Sequence, residues 1–349
     1  MQSYVVGRVD EYRMTKPPFF SVITPCYKYG DLLSETLESL QAQSFDAWEC
    51  LVVDDGSTDE SHMIACRYAE TDPRIRPLRH EMNLGVAAAR NTGIRKARGR
   101  YLLFLDADDL LLPQTLDVLW KAIRADLSLG DGLSVYCIPF CYFREAEVLQ
   151  SQELRMVTGI GSEYADNMVT FARGNPIPVC CAAVPSALVN HKEAFDPSHL
   201  RLEDYDFWVR LVASGVCFRV LPVGDGACGA CIRMHHDSLS ENLPATYHKE
   251  VQLRTQWEYE ELFGPFPLAR RENLRRLANR SGRLLLLSLP SLHAGGRDTM
   301  HKAWQGLRSA YVVNWRLPWV LLRAAAGLAF GSLLQRTTLG RRKLRWRLL

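Results

Sequence analysis

Residues 101–109 read YLLFLDADD, an unbroken apolar run that leads directly into three carboxylates. Five consecutive apolar residues, Tyr101–Leu105, are typical of a strand that is buried on both of its faces. Asp106 and Asp108 follow at the carboxyl end of that strand. The stretch therefore predicts a buried strand of a parallel sheet, with a carboxylate-rich turn at its end.

Short apolar runs also precede this stretch, and a helical pattern separates each run from the next. Strands are predicted over residues 19–24 (FFSVIT), 48–53 (WECLVV) and 75–79. The helices between them are predicted to start at an N-cap on Asp31, to run from Thr58 or Asp59 to about Ala69, and to cover Val86–Ala97. This alternation favours a parallel sheet with helices on both faces.

The pattern after the carboxylates is less regular, and from Pro244 onwards it becomes helical and rich in Leu and Arg. A left-handed C-cap is expected at Gly215, between a helix and a strand. Before Pro244, strands are predicted over Ser134–Phe143, Val179–Val184 and Val216–Leu221. A helix is predicted over Asp204–Ser214.

These patterns divide the chain into three parts. Residues 1–18 form an N-terminal tail, and residues 19–245 form an α/β domain with halves at 19–125 and 126–245. Residues 246–349 form a basic helical extension, rich in Leu and Trp. At 349 residues the chain is long enough for about two domains.

Three loops are expected to meet at one edge of the sheet, because parallel sheets bind ligands beyond the carboxyl ends of their strands. They contain Pro25-Cys26-Tyr27, Asp54-Asp55-Gly56-Ser57 and Asp106-Ala107-Asp108-Asp109. The first loop lacks the glycines of a dinucleotide-binding turn, and no Walker loop is present. Paired carboxylates suit Mg²⁺ or Mn²⁺, although helix-capping and turn-forming roles also explain acids at these places.

In order and spacing, these segments resemble glycosyltransferase family 2 and its GT-A fold. The resemblance covers about residues 19–242 and includes Ala89-Arg90-Asn91-x-Gly93. It continues through residues 202–208 (LEDYDFW) and 233–240 (RMHHDSLS). It implies a Rossmann-like mixed sheet with helices on both faces, followed by the helical extension.

The resemblance also implies roles for individual residues. Pro25, Tyr27, Asp54 and Asp55 would form the nucleotide pocket, with the Tyr27 ring against the base and Asp55 on the base edge. Arg90 would reach the nucleotide or its diphosphate. The implied metal ligands are Asp108, Asp106 and His235, with Asp106 also near the ribose, and the metal is Mn²⁺ or Mg²⁺.

The implied reaction is inverting transfer of a sugar from a nucleoside-diphosphate sugar, with a UDP-sugar favoured, to a glycan or lipid-linked acceptor in cell-surface polysaccharide or glycoconjugate synthesis. Such transfer needs a base for the acceptor hydroxyl, and Asp204 matches the family's base position. Glu203 and Trp208 are expected to border the acceptor. A non-catalytic nucleotide-sugar-binding scaffold and a metal-dependent nucleotidyltransferase stay as alternatives.

The first loop departs from the family pattern at two positions. Lys28 stands where the family often has Asn, and Cys26 is an unusual neighbour for a nucleotide. Neither position has an obligatory role, so the expected activity does not depend on them.

The composition, 47% apolar and 23% charged, is that of an ordinary globular protein and excludes collagen-like, disordered and disulfide-scaffold classes. The ten cysteines have scattered spacings, and Cys228-x-x-Cys231 is interpreted as two buried thiols rather than a zinc or redox site. The first residues lack the apolar core of a signal peptide. We therefore expect a cytoplasmic location.

The net charge of +3 conceals two opposite parts. Residues 268–349 contain 17 Lys and Arg against 2 Asp and Glu, and the rest of the chain has 25 against 37. A basic segment of this kind suggests a polyanionic or anionic membrane partner. It contains no recognisable nucleic-acid-binding module, so no nucleic-acid partner is expected.

The C-terminal segment contains an apolar stretch, Leu317–Leu334, with one charge at Arg323. As a helix it would be about 27 Å long, slightly short of the ~30 Å hydrocarbon slab. Flanking Trp and Arg residues suit a helix in the membrane interface. Three interpretations stay open: packing as a soluble extension, peripheral association with the inner face of the cell membrane, and spanning.

Overall fold

The structure is a computed structural model. It describes residues 17–128, 133–144, 155, 157, 159–160, 164–189, 194–222, 229–234 and 243–288. The chain divides into two compact units. One comprises Met1–Asn167 and Asn175–His236, and the other comprises Met168–Gly174 and Asp237–Leu349.

The first unit is built on a seven-stranded mixed sheet with the strand order β3-β2-β1-β4-β8-β6-β9. The first four of these strands are parallel, whereas β8 runs antiparallel to both β4 and β6. The strands are β1 (Phe20–Cys26), β2 (Trp48–Asp54), β3 (Ile75–Arg79), β4 (Tyr101–Phe104), β6 (Ser134–Cys137), β8 (Ala182–Pro185) and β9 (Cys217–Val220). The α/β fold class predicted from the alternation is confirmed.

Strands β1, β2 and β4 are buried along their whole length, which explains their continuous apolar runs. The register pairs Phe20 with both Trp48 and Tyr101, so the three strands are aligned at their amino ends. Their carboxyl ends consequently bring the loops after Cys26, Asp54 and Phe104 to one edge of the sheet.

A second sheet of three short strands has the order β5-β10-β7. Its strands are β5 (Leu110–Leu111), β7 (Phe140–Phe143) and β10 (Ala230–Arg233). The single strand predicted over 134–143 is therefore wrong, because Ile138 and Pro139 divide it between two sheets. The strand predicted over 179–184 likewise begins with a short 3₁₀ turn at Val179–Cys181 before β8.

Six helices begin in the first unit: α1 (Gly30–Gln41), α2 (Ser61–Thr71), α3 (Val86–Lys96), α4 (Thr115–Ser128), α5 (Tyr164–Arg173) and α6 (Glu203–Ala213). The predicted cap at Asp31 is wrong, because Tyr29 occupies the N-cap position and Asp31 lies in the first turn. The predicted cap of α2 at Thr58 or Asp59 is also wrong, because Glu60 occupies the N-cap position. Asp59 lies one residue earlier and accepts a hydrogen bond from the Ser61 backbone N–H at 3.1 Å. Gly215 has the positive φ of +84° expected of a left-handed C-cap.

The second unit contains the helices α7 (Leu243–Tyr259) and α8 (Pro267–Ser288). Arg254 is fully buried there, where it donates to Glu250 Oε1 at 2.9 Å and to Asn273 Oδ1 at 2.8 Å. None of the helices in the described part of the chain has the length and apolar character needed to cross a membrane. The apolar stretch 317–334 lies outside the described residues.

Candidate active site

The carboxylate-rich turn after β4, residues 106–109, is held by hydrogen bonds to its main chain. Thr36 on α1 donates to the Ala107 carbonyl at 2.9 Å, and Arg233 on β10 donates through Nε to the Asp108 carbonyl at 3.0 Å. Within the turn, the Asp109 N–H donates to the Asp106 carbonyl at 3.1 Å. The main chain that carries the Asp106 and Asp108 side chains is therefore fixed by contacts from two other elements.

The third carboxylate of the turn, Asp109, differs from the other two. It is buried, and its Oδ1 accepts a hydrogen bond from the Arg233 backbone N–H at 2.9 Å. Burial, together with the nearby charges of Asp108 and Asp106, raises the pKa of Asp109 well above its usual range. Because Asp109 is buried and its Oδ1 is held by the Arg233 N–H, the partly exposed Asp106 and Asp108 are the metal-ligating candidates of this turn.

The turn is also supported by a row of polar side chains on and just beyond α1. Ser39 accepts at Oγ from the Leu111 N–H at 3.2 Å, and Gln43 donates to the Leu112 carbonyl at 2.8 Å. Together with Thr36, these residues recur at helical spacing, so they face one side of α1. The row holds residues 107–112 against α1.

Arg90 on α3 links two carboxylates that are far apart in sequence. Its Nη2 lies 2.8 Å from Asp106 Oδ1, and its Nη1 donates to Glu203 Oε1 on α6. Arg90 is 2% exposed, so it is buried between its two partners. One guanidinium therefore connects the carboxylate turn to the amino end of α6, and the planar fork of arginine suits such a bridge.

Asp204 follows Glu203 in the first turn of α6 and is partly buried. Its Oδ2 accepts a hydrogen bond from Asn175 Nδ2 at 2.8 Å, and its Oδ1 accepts one from the Tyr205 N–H at 2.7 Å. Burial and the neighbouring Glu203 charge raise the pKa of Asp204 to about 7, against the lowering effect of Arg90. A carboxylate with this pKa can accept a proton near neutral pH.

The carboxylates after β2 are engaged by neighbouring loops. Asp55 accepts hydrogen bonds from the N–H groups of Leu84 and Gly85 at 2.9 and 2.8 Å, and it lies 2.7 Å from His80 Nδ1. Asp54 accepts at Oδ1 from the Ser57 N–H at 3.0 Å. The two acids therefore fix the loops 54–57 and 82–85, which form one side of the sheet edge.

The loop after β1 presents an aromatic ring at this edge. Tyr27 is 39% exposed, and Lys28 Nζ lies 5.2 Å from the centre of its ring. Lys28 has a left-handed backbone with φ of 60°, and its N–H donates to Ser57 Oγ at 3.0 Å. This conformation gives a physical reason for the family's Asn at that position, since Asn is enriched in left-handed backbone.

Comparison with known proteins agrees with this arrangement. Residues 21–175 match the family model described as Glycosyl transferase family 2, and the match includes β1, β2, β4 and the turn 106–109. Residues 21–175 are therefore similar to glycosyltransferase family 2. The chain is also similar in structure to the mannosyltransferase PcManGT from Pyrobaculum calidifontis in complex with GDP-Man and Mn²⁺. That similarity has a TM-score of 0.54 and 20% identity over 94% of this chain and 83% of that one, and it supports the GT-A fold.

Two curated relatives illustrate how the similarity in sequence is distributed. The uncharacterised glycosyltransferase YibD of Escherichia coli (strain K12) is 42% identical over 118 residues, 34% of each chain. The Escherichia coli protein WfgD, a UDP-Glc:alpha-D-GlcNAc-diphosphoundecaprenol beta-1,3-glucosyltransferase, is 26% identical over 72% of this chain and 88% of that protein. For the first two curated relatives that match, the matched segment spans only 34% and 36% of the relative's own length.

The turn 106–109 offers oxygen ligands that fit a divalent cation. Asp106 is partly exposed, and Asp108 lies beside it on the fixed turn. One or two carboxylates plus substrate phosphates are a usual ligand set for Mg²⁺ and Mn²⁺. No group of three or more His, Cys, Asp or Glu among the described residues forms a metal site without a substrate, and His235 lies outside those residues.

Not every predicted site residue reaches the edge of the sheet where the three loops meet. Trp208 is 0% exposed and donates through Nε1 to the Ile177 carbonyl at 3.1 Å. The structure therefore does not support direct contact between Trp208 and an acceptor, because its ring completes the core under α6. Pro25 is buried within β1, opposite Val53, and Glu203 faces Arg90.

Several residues of the site were missed from the sequence. They are Glu35, Thr36, His80, Asn175 and Arg233. The last three contact Asp55, Asp204 and Asp108, to which the resemblance had assigned roles. Thr36 contacts the Ala107 carbonyl of the turn, and Glu35 contacts Arg233. Four of the five are isolated polar residues in segments without a motif, so their position depends on the tertiary fold. Arg233 was the exception, because it opens the 233–240 segment and an arginine next to a functional segment is a usable signal.

Proposed function

We propose that this protein is an inverting glycosyltransferase that moves a sugar from a nucleoside-diphosphate sugar to a glycan or lipid-linked acceptor during cell-surface polysaccharide synthesis. The observation that supports it most is the Arg90 bridge. It joins a carboxylate turn suited to a metal and diphosphate to a helix end carrying Asp204, a base candidate with a pKa of about 7.

On the donor side, the chain's own residues would hold and orient the nucleotide. The Tyr27 ring would pack on the base, and the loops fixed by Asp54 and Asp55 would shape its pocket. Asp106 and Asp108 would hold Mn²⁺ or Mg²⁺, which when bound supplies positive charge to the leaving diphosphate. WfgD takes its sugar from UDP-Glc, and PcManGT is seen with GDP-Man, so the base of this donor is a question for experiment.

On the acceptor side, Asp204 would take the proton from the acceptor hydroxyl as it attacks the anomeric carbon. A positioned base of this kind contributes typically about 10²–10⁴-fold to the rate. Attack from the face opposite the diphosphate inverts the anomeric centre. Asn175 and the Tyr205 N–H would orient the carboxylate through their hydrogen bonds.

The test is a screen of UDP- and GDP-sugars with Mn²⁺, in which hydrolysis without acceptor and transfer to lipid-linked acceptors are measured. We expect the wild type to release nucleoside diphosphate from one of the donors. In Asp204→Asn, release that is coupled to transfer should be lost. A scaffold protein would bind a donor and release nothing. Release of pyrophosphate from a nucleoside triphosphate would instead identify a nucleotidyltransferase and reject this proposal.

The metal part of the proposal has its own test. Asp108→Ala should lose Mn²⁺-dependent binding of the donor nucleotide, because a carboxylate ligand is removed from the turn. Asp117→Ala, which changes an acid on α4 paired with Lys121, is the matched control and should keep it. Metal dependence unchanged in Asp108→Ala would reject the ligand assignment.

We also propose that the protein works at the inner face of the cell membrane, bound to anionic lipid through residues 268–349. Their excess of basic residues supports this partner. In the described part of that segment, Arg270 and Arg275 on α8 have side chains that are 50% and 65% exposed. Each basic residue near an anionic lipid surface contributes about 1 kcal/mol.

A further inference from the structure

Arg233, the last residue of β10, contacts the carboxylate turn, residues 106–109. Its Nε donates to the Asp108 carbonyl at 3.0 Å, and its backbone N–H donates to Asp109 Oδ1 at 2.9 Å. It is thus bonded to two adjacent residues of the turn 106–109. One of these residues, Asp108, is a candidate metal ligand.

The direction of the Arg233 side chain is fixed by two further contacts. Nη2 lies 2.6 Å from Glu35 Oε2 on α1, and the guanidinium carbon lies 4.5 Å from the centre of the Phe143 ring on β7. The planar guanidinium donates in two fixed directions at once, which the single ammonium group of a lysine does not reproduce. Arg233 therefore joins α1, β7 and the turn through one rigid group.

The burial of Arg233 makes these contacts energetically important. Its side chain is 7% exposed, and its carboxylate partner Glu35 is 39% exposed. A buried guanidinium is tolerated only when it is paired and hydrogen-bonded. If Glu35 or the Asp108 carbonyl moved away, the buried guanidinium would lose one of its two acceptors, so the position of the turn is coupled to the Glu35–Arg233 pair.

Residues at both ends of β10 form hydrogen bonds with residues 108–115, which include the end of the turn. At its start, the Gly229 N–H donates to Thr115 Oγ1 at 2.9 Å, and the Leu112 N–H donates to the Gly229 carbonyl, also at 2.9 Å. At its end, Arg233 holds Asp108 and Asp109. The segment from 108 to 115 is therefore anchored to β10 at two places, which argues against an accidental contact.

We propose that Arg233 is a positioning residue for the metal-binding turn, and that with Glu35 it sets the direction in which Asp108 presents its carboxylate to Mn²⁺ or Mg²⁺. This inference rests on the proposed function, since it concerns the affinity for metal and donor. Residues that orient a metal ligand typically change metal affinity by about 10- to 100-fold when they are replaced.

The experiment measures UDP and GDP binding by calorimetry over a series of Mn²⁺ concentrations, in the full chain. In Arg233→Lys and Arg233→Met we expect the half-saturating Mn²⁺ concentration to rise about 10- to 100-fold. Glu35→Gln keeps an acceptor for the guanidinium but loses the charge, so it should give a smaller rise. Glu35→Gln also keeps the test open if Arg233→Met does not fold.

Arg210→Lys is the matched control. Arg210 has the same kind of fork, with Nε donating to Asp206 at 2.8 Å and Nη2 to the Ala194 carbonyl at 2.6 Å, but it lies on α6. It should lower the unfolding temperature and leave the Mn²⁺ midpoint unchanged. Suppose that Arg233→Lys also leaves the Mn²⁺ midpoint unchanged, while the wild type needs Mn²⁺ to bind nucleotide. That result overturns the positioning role of Arg233 but not the proposed function. A wild type that binds both nucleotides equally without metal overturns the metal part of the proposed function as well.

Discussion

Glu203 and Asp204 are adjacent carboxylates with different surroundings. Glu203 is buried against Arg90, and its charge is balanced by that pairing. Asp204 receives two hydrogen bonds, yet burial and the Glu203 charge still raise its pKa to about 7. Two neighbouring acids whose environments separate their behaviour are typical of acid–base sites. The resemblance assigned the base to Asp204, and the structure adds the different contacts of the two side chains.

Transfer activity should depend on pH through Asp204. The base must be ionised to accept a proton, so kcat/KM is expected to fall below a midpoint near pH 7 and to level off above it. In Glu203→Gln the midpoint should move to lower pH, because a like charge that raises the pKa of Asp204 is removed. A pH profile of transfer for both proteins checks this. A midpoint that stays in place in Glu203→Gln would contradict the assignment.

Lys28 is a residue whose backbone conformation does not suit its side chain. For L-residues other than Gly, Asn and Asp, the left-handed region costs about 1–2 kcal/mol. Lys28→Asn is therefore expected to raise the free energy of unfolding by about 0.5–1 kcal/mol, measured by urea unfolding. Lys28→Ala, which loses the amine but keeps the backbone cost, should show no such gain. An equal gain in both variants would mean that charge, not φ, is responsible.

At the scale of elements, the buried strands were predictable because their apolar runs are continuous, as in Tyr101–Leu105. Elements whose bounds depend on tertiary contacts were harder to predict. The 134–143 run looked like one strand, since nothing in its composition shows that Pro139 marks a change of sheet. The start of α1 was misplaced at Asp31 because no side chain caps the helix, so the usual signal is absent.

The candidate site was predictable to the extent that motifs carry it. Asp106, Asp108, Arg90 and Asp204 come from segments with recognisable spacing, and the fold places Arg90 in contact with Asp106. Partners such as Thr36 and Glu35 were not predictable. Their role depends on which face of α1 meets the turn, and that is decided by tertiary packing.

The contact between α3 and β1 depends on a glycine in the Ala89–Gly93 motif. A Cβ at Gly93 would lie 2.3 Å from Cγ2 of Ile23, which is fully buried. Gly93→Ala is therefore expected to destabilise the protein by about 1–3 kcal/mol through overpacking. Gly174→Ala is the control, because a Cβ there meets no atom within 4 Å. Similar unfolding midpoints for the two variants would contradict this account of α3 packing.

At the scale of the whole molecule, charge divides the chain into an acidic part and a basic part, for which we propose different functions. The acidic part, residues 1–267, includes the carboxylates proposed to hold metal and to act as base. The basic part, residues 268–349, is proposed to contact lipid. The net charge of the whole chain, +3, reveals neither the acidic part nor the basic part.

Removal of Leu317–Leu349 should strongly weaken membrane binding, because it takes away the apolar stretch and the last basic cluster. The full chain is expected to sediment with phosphatidylglycerol vesicles and to be released by high salt, since ions screen surface charges beyond about 3 Å at 1 M. Phosphatidylcholine vesicles are the control. Equal sedimentation of the truncated chain would contradict the lipid role of this segment, and resistance to salt would indicate insertion across the bilayer.

The hydrogen bonds from Thr36 and Arg233 to the turn 106–109 bear on the entropy of donor binding. Fixing the backbone of one residue costs about 1–2 kcal/mol, and a loop that became ordered on binding would subtract that cost from the affinity. Here the cost is met when the chain folds. The free energy gained on contact with the proposed diphosphate is then kept for holding and aligning the donor, and we expect binding to proceed without a large entropic penalty from this turn.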